Sequence, residues 1–204
     1  TEQTPDQQLS FVRGGMGDHG VTIIRTDGLT GEEGYEVVCA ADAAKDIFDS
    51  LENRGMNAAP FGYETWNSLT LEAGTPLFET ELDGEVPNTM GLRNAVDFEK
   101  GCFVGQEVVS RVENRGQPSN RLVGLAVDSV PDSGAAVFAG DEAVGEVTRA
   151  VESPTRETPI ALARVTFDTA DDLTVRVDGT EVEAQRVELP FVEGSDTSAR
   201  LPQY

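Results

Sequence analysis

The chain has 204 residues, of which 37 are acidic and 15 basic, giving a formal net charge of −22. This charge excludes a protein that holds nucleic acid over most of its surface, because that binding needs basic contacts to phosphates. No apolar run approaches the ~18 residues of a membrane span, and no secretory leader pattern opens the chain. We therefore expect a soluble, intracellular (cytoplasmic) protein with neither a membrane nor a nucleic-acid partner.

The acidic residues are scattered between apolar positions rather than collected in a tail, and lysine occurs only at Lys45 and Lys100. An acidic surface poor in lysine is typical of proteins from salt-loving archaea. At molar salt the Debye length is about 3 Å, so self-repulsion largely vanishes. The composition thus predicts a halophilic protein.

The first part of the chain favours strands followed by helices. VTIIRT at 21–26 and YEVVC at 35–39 predict two strands on either side of the glycine-rich turn DGLTGEEG. Two amphipathic helices are expected, over 40–55 and from about Tyr63 to Ala73. His19, the one histidine, is expected in a surface turn. This order of elements indicates an α+β layered domain.

The segment KGCFVGQEVVSRVENRG, residues 100–116, combines a thiol with basic side chains. It predicts a strand-to-helix corner with the helix beginning near Gly105. Cys102 lies just before that helix, where a thiol can become a catalytic nucleophile. Because no histidine lies nearby to act as its base, the residues alone favour the alternative, a small apolar side chain packed in the corner. With two cysteines and one histidine, the composition predicts no Cys/His metal site.

Basic residues are concentrated around this segment. Between residues 91 and 125 there are five basic and four acidic residues, although the whole chain is strongly acidic. We predict that Lys100, Arg111 and Arg115 meet an anionic ligand or an acidic partner. The alternative is that Arg111 pairs with Glu107, which lies four residues earlier on the same helix face.

Beyond Pro118 the pattern changes to short apolar or alternating runs separated by Gly, Pro and Asp. Turn signals at regular short spacing predict a small antiparallel β-barrel. The expected division is an α+β region over 1–117 and a C-terminal barrel with a polar tail over 118–204, with the boundary near 117–120.

Several segments in order resemble the glycine-cleavage T-protein (aminomethyltransferase) superfamily: RTDGLTGEEGYEVVC, NSLTLEAGTPLFETEL, NRLVGL, SPTRETPIALA and VELPF. KGCFVGQE resembles the YgfZ-type branch of that superfamily. The similarity covers about residues 12–193. It implies the T-protein fold, in which the first region is part of the folate-binding portion.

The resemblance also implies a cofactor, tetrahydrofolate or a related folate, whose binding is expected to need the N-terminal segment with which family chains begin. The glutamate that contacts the pterin ring in T-proteins corresponds to Glu36, and a carboxylate suits two adjacent pterin N–H donors. Glu36 lies beside the glycine-rich turn, which is expected to let a ligand approach. An arginine that faces the folate corresponds to Trp66, whose indole can stack on a pterin. A family tyrosine corresponds to Leu29. These two departures weigh against the T-protein reaction more than against folate binding.

The resemblance therefore implies, first, a YgfZ-type folate-binding protein that supports iron–sulfur enzyme maintenance or one-carbon metabolism. The alternatives are an aminomethyltransferase of the glycine cleavage system and a binding module without catalysis. Expected partners are a folate and an iron–sulfur or lipoyl-carrier protein. Family chains begin with a further segment carrying the catalytic aspartate, so we expect that N-terminal segment, or a second chain, as another partner.

Overall fold

The computed structural model describes residues 4–115 and 117–204, with only the backbone of Arg115. An antiparallel sheet and two helices come first, a third helix follows, and a closed barrel completes the chain. The predicted fold class, α+β followed by a small antiparallel barrel, is confirmed. Within the described residues, no helix is long and apolar enough to cross a membrane.

The first sheet contains three antiparallel strands in the order β1 (Phe11–Met16), β2 (His19–Arg25) and β3 (Tyr35–Cys39). The sequence predicted β2 and β3 but not β1, because the glycines of FVRGGM disguise the alternation. His19 was expected in a turn, but it begins β2, and its Nε2 lies 3.2 Å from Asp46 Oδ2.

One face of this sheet forms a small core with helix α1 (Ala44–Arg54). Val21 and Ile23 of β2 pack with Ile47 of α1. The opposite side of α1 leaves Phe48 52% exposed, so the helix covers the sheet with a single apolar stripe.

Helix α2 (Tyr63–Glu72) joins this region to the barrel. Leu71 is fully buried against Ile160, Leu162 and Phe191. The chain leaves α2 at Gly74, whose φ of +65° suits the left-handed conformation expected after a helix.

The third helix, α3, spans Gln106–Arg115. Its predicted start near Gly105 agrees with the structure, but the predicted strand before it was wrong. Irregular chain precedes α3, with a single helical turn at Arg93–Ala95. Asp97 Oδ1 accepts the N–H groups of Glu99 and Lys100, and Gln106 Oε1 accepts that of Phe103. These side-chain bonds hold a loop where strand pairing was expected.

The barrel has six antiparallel strands, closed in the order β4-β7-β6-β5-β8-β9. Their bounds are β4 (Asn120–Val127), β5 (Ala136–Ala139), β6 (Glu142–Ser153), β7 (Thr158–Thr166), β8 (Asp172–Val177) and β9 (Thr180–Val187). The interior is filled by apolar side chains such as Leu125 and Val137. Strand β7 is apolar on both faces because one face lies inside the barrel and the other lies under α2.

After β9 the chain returns to the first region. The N–H of Val192 donates to Glu72 O, and the N–H of Gln203 donates to Gly91 O. The hydroxyl of Tyr204 accepts the N–H of Leu122 at 2.7 Å. The tail predicted as polar is therefore packed along the molecule by backbone hydrogen bonds.

Candidate functional site

Glu36 lies on the face of the first sheet that points away from α1. Strand pairing sets Phe11 of β1, Ile24 of β2 and Glu36 of β3 side by side in one row. Phe11 is 58% exposed and Glu36 is also exposed. The row therefore presents an apolar surface about 10 Å wide that ends in a carboxylate, since neighbouring strands lie about 4.8 Å apart.

The next row of the same face contains Arg13, Thr22 and Val38. These three residues also line a shallow depression of about 430 Å³. We call the two rows together the open sheet face. The sequence reasoning missed Phe11 and Arg13 because it did not recognise β1; the alternation of Phe11, Arg13 and Gly15 with Val12, Gly14 and Met16 was the available signal.

The glycine-rich turn between β2 and β3 was expected to let a ligand approach. The structure fills this turn with the chain's own tail instead. A Cβ on Gly28 would lie 2.6 Å from the carbonyl oxygen of Thr197, and a Cβ on Gly194 would lie 1.9 Å from that of Gly31. These glycines are needed for close backbone packing, and the open sheet face lies beside the filled turn.

Trp66 lies on α2 and is half-buried. Its carbonyl oxygen accepts the Thr70 hydroxyl at 2.9 Å. Helix α2 packs on β6 and β7 of the barrel, whereas Glu36 belongs to the sheet that packs on α1. Trp66 and Glu36 therefore lie on two elements that pack against different parts of the protein.

Lys100 and Phe103 lie between two grooves beside α3, of about 600 and 430 Å³. The Nζ of Lys100 lies 4.7 Å from the centre of the Phe103 ring, a cation–π distance. The smaller groove has mainly apolar walls that include Val86, Val104 and Val108. This arrangement suits a ligand with an apolar body and one anionic group.

Cys102 is an exposed free thiol in the loop before α3. Its exposure does not fit the alternative of a cysteine packed in a corner. Arg111 Nη2 donates to Glu107 Oε1 at 3.0 Å, which is the pairing considered as the alternative to anion binding. The side chain of Arg115 lies outside the described residues, so its predicted role stays a prediction.

Arg93, at the edge of the same region, is held by a carboxylate as well. Its two terminal nitrogens donate to the carboxylate of Glu113 at 2.8 and 2.7 Å. That carboxylate raises the pKa of Arg93. With Arg93 and Arg111 both paired, the segment offers a ligand less positive charge than the residue count indicates.

Sequence reasoning also missed a buried ion pair where α2 meets the barrel. Arg149 Nε of β6 donates to Glu81 Oε1 at 2.9 Å, and the two side chains are 6% and 0% exposed. Glu81 belongs to a single wide helical turn, Phe78–Leu82. No local pattern links residues 68 positions apart, so only the fold brings the pair together.

Two family models match the chain. Residues 5–100 match the model described as "GCVT N-terminal domain", and residues 120–193 match "Glycine cleavage T-protein C-terminal barrel domain". The match is thus interrupted only over 101–119, the stretch that contains Cys102, Arg111 and Arg115.

The chain is also similar to curated proteins named aminomethyltransferase. The chain is 39% identical to an aminomethyltransferase of Cutibacterium acnes, over 86% of the chain and 48% of the relative. It is 36% identical to one of Streptomyces coelicolor, over 83% and 49%. It also resembles the crystal structure of the glycine cleavage system aminomethyltransferase T from Bartonella henselae, with a TM-score of 0.76, 26% identity, and coverage of 85% and 50%. The chain spans about half the length of the relatives it matches.

Proposed function

Because this chain belongs to the glycine-cleavage T-protein family, we propose that it carries a tetrahydrofolate site of the aminomethyltransferase type, with Glu36 as the pterin contact. The observation that carries the proposal is the exposure of Glu36 on the open sheet face, in a row with Phe11 and Ile24. Since the chain spans about half of its relatives, the transfer reaction belongs to this proposal and not to the family assignment.

The side chains of the open sheet face fit a folate chemically. The carboxylate of Glu36 accepts hydrogen bonds from two adjacent pterin N–H donors, and hydrogen bonds to a charged group are roughly twice as strong as neutral ones. Phe11 and Ile24 offer an apolar surface to the flat ring. Arg13, on the next row, can meet a carboxylate of the folate tail. Bound tetrahydrofolate would accept the methylene carbon of an aminomethyl lipoyl group, with release of ammonia and of the dihydrolipoyl thiol.

The relatives' names favour this aminomethyltransferase function over the YgfZ-type function that we ranked first from the sequence. One observation supports the YgfZ-type function as the second candidate. The KGCFVGQE segment, apart from its first residue Lys100, lies in the gap between the two family matches, and its Cys102 is exposed. A YgfZ-type protein would bind folate without transferring the aminomethyl group, and its partner would be an iron–sulfur protein.

The deciding experiment is a transfer assay with this chain together with the N-terminal segment of the family, tetrahydrofolate and an aminomethylated lipoyl-carrier protein. We expect methylenetetrahydrofolate to form, and Glu36→Gln to slow its formation. Glu183→Gln is the matched control, because Glu183 is an exposed glutamate on a barrel strand. Folate binding without turnover would favour the YgfZ-type function, and the absence of folate binding would overturn both candidates.

A further inference from the structure

The C-terminal tail is bonded to the turn that leads into Glu36. Asp196 N–H donates to Gly31 O at 2.9 Å, and Ala199 N–H donates to Asp27 O at 2.8 Å. Arg200 Nε donates to Asp27 Oδ2 at 2.8 Å. Residues 195–200, which we call the strap, thus contact both ends of the β2–β3 turn. The strap lies beyond residue 193, where the barrel family match ends.

Asp196 is the centre of these contacts. Its carboxylate accepts hydrogen bonds from Arg25 Nη2 at 3.0 Å, Gln8 Nε2 at 2.8 Å and the Thr197 N–H at 2.9 Å. The side chains of Asp196 and Arg25 are only 15% and 12% exposed. A carboxylate so enclosed has few water contacts to replace a lost partner.

Arg25 links Asp196 to β3, the strand that contains Glu36. It pairs with Tyr35 across β2 and β3, and its guanidinium carbon lies 5.8 Å from the Tyr35 ring. Its Nη1 lies 3.3 Å from Glu33 Oε2. Tyr35 directly precedes Glu36, so Asp196 and Arg25 fix the end of the hairpin at which the exposed carboxylate begins.

We infer that Asp196 is a positioning residue for the folate site: through Arg25 and the β2–β3 turn, the strap fixes the direction in which Glu36 meets the pterin. This inference rests on the proposed function. Gly28 and Gly31 in the turn leave room for the strap. The strap thereby orders the turn, and the turn leads directly into the strand that carries Glu36.

The charge of Asp196 is stable at neutral pH. Burial raises the pKa of its carboxyl, but the hydrogen bonds from Arg25, Thr197 and Gln8 together with the charge of Arg25 outweigh burial, so the pKa lies below its ordinary value of 3.8. Asp196 is therefore ionised wherever folate binding is measured. Asp196→Asn removes this charge while keeping the shape of the side chain.

The test combines hydrogen exchange on the whole chain with tetrahydrofolate titration of the chain together with the N-terminal segment of the family. In Asp196→Asn we expect exchange of backbone amides in residues 26–36 to become about tenfold faster, since the local opening is less costly. We expect tetrahydrofolate to bind about tenfold more weakly, in line with the loss of a hydrogen bond to a charged group. Asp171→Asn, which removes the Arg186 ion pair on the barrel, should change neither.

A double-mutant comparison separates positioning from general stability. Asp196→Asn should weaken binding much less in a Glu36→Gln background, because it acts through Glu36; equal weakening in both backgrounds would overturn the inference. Asp196→Glu should restore part of the affinity. If the wild type does not bind tetrahydrofolate, the proposed function fails. The exchange measurement then tests by itself whether the strap orders the turn, and unchanged exchange over residues 26–36 would overturn that part of the inference.

Discussion

Replacing Arg149 by alanine should destabilise the protein by about 3–5 kcal/mol, because the carboxylate of Glu81 would remain buried without its cation. Arg149 donates four hydrogen bonds: to Glu81 Oε1 at 2.9 Å, Asn67 Oδ1 and Thr70 Oγ1 at 3.1 Å each, and Thr75 O at 2.6 Å. The contacts join three elements at the interface between α2 and the barrel.

The magnitude follows from what each change leaves unpaired. Glu81→Ala leaves the Arg149 guanidinium without its counter-charge and should cost a similar amount. The double variant Arg149→Met/Glu81→Leu removes both charges and keeps most of the volume. It still leaves the Leu77 N–H without its Glu81 acceptor, at about 1–3 kcal/mol. Its cost should therefore fall well below the sum of the two single costs, which is about 6–10 kcal/mol.

Urea unfolding followed by circular dichroism measures these free energies of unfolding. Arg176→Ala is the control, because its pair with Glu181 has a similar N–O distance of 2.9 Å but side chains that are 49% and 44% exposed. Such an exposed pair should contribute less than about 1 kcal/mol. An Arg149→Ala cost no larger than the control's would refute the reasoning that the buried pair holds α2 on the barrel.

Three further predictions address the charge, the tail and the thiol. With a net charge of −22, the protein should melt at a higher temperature in about 2 M than in about 0.1 M KCl, and equal or lower stability at high salt would contradict the halophilic interpretation. Burial of the Tyr204 hydroxyl raises its pKa to about 12, despite the Leu122 N–H bond and the charge of Arg121. Neutral Tyr204 should then stabilise the protein fully below about pH 10, the pKa of tyrosine in the unfolded chain, and this stabilisation should be lost as pH rises toward about 12. Tyr204→Phe should remove the highest-pH step from an absorbance titration of the tyrosines. Iodoacetamide should modify exposed Cys102 faster than half-buried Cys39, and mass spectrometry showing the reverse would contradict the exposure of the loop.

Local sequence patterns predicted much of the fold. The alternation of YEVVC and the apolar spacing over 40–55 specify β3 and α1, because each element is defined by contacts within a short window. The barrel was predictable since its strands are short and separated by turn residues. Strand β1 was missed because three of the six residues in FVRGGM are Gly or Arg, and its strand character depends on pairing with β2.

Contacts between distant parts of the chain were not predictable. The strap occupies the glycine-rich turn, where the sequence had predicted that a ligand approaches. The Arg149–Glu81 pair likewise depends on how α2 meets β6. The predicted unit boundary at 117–120 remains a proposal; it falls between the end of α3 and Asn120, where β4 begins. The roles of Lys100, Cys102 and Arg111 also remain predictions, although the structure places all three on the surface.

The central claim is that the carboxylate of Glu36 binds the pterin of a folate. Isothermal titration of tetrahydrofolate against wild type and Glu36→Ala, each together with the N-terminal segment of the family, tests it most directly. We expect the substitution to weaken binding by about 1.5–3 kcal/mol, the scale of a hydrogen bond to a charged group, while Glu183→Ala on the barrel binds as the wild type does. Equal affinities for wild type and Glu36→Ala would contradict the account.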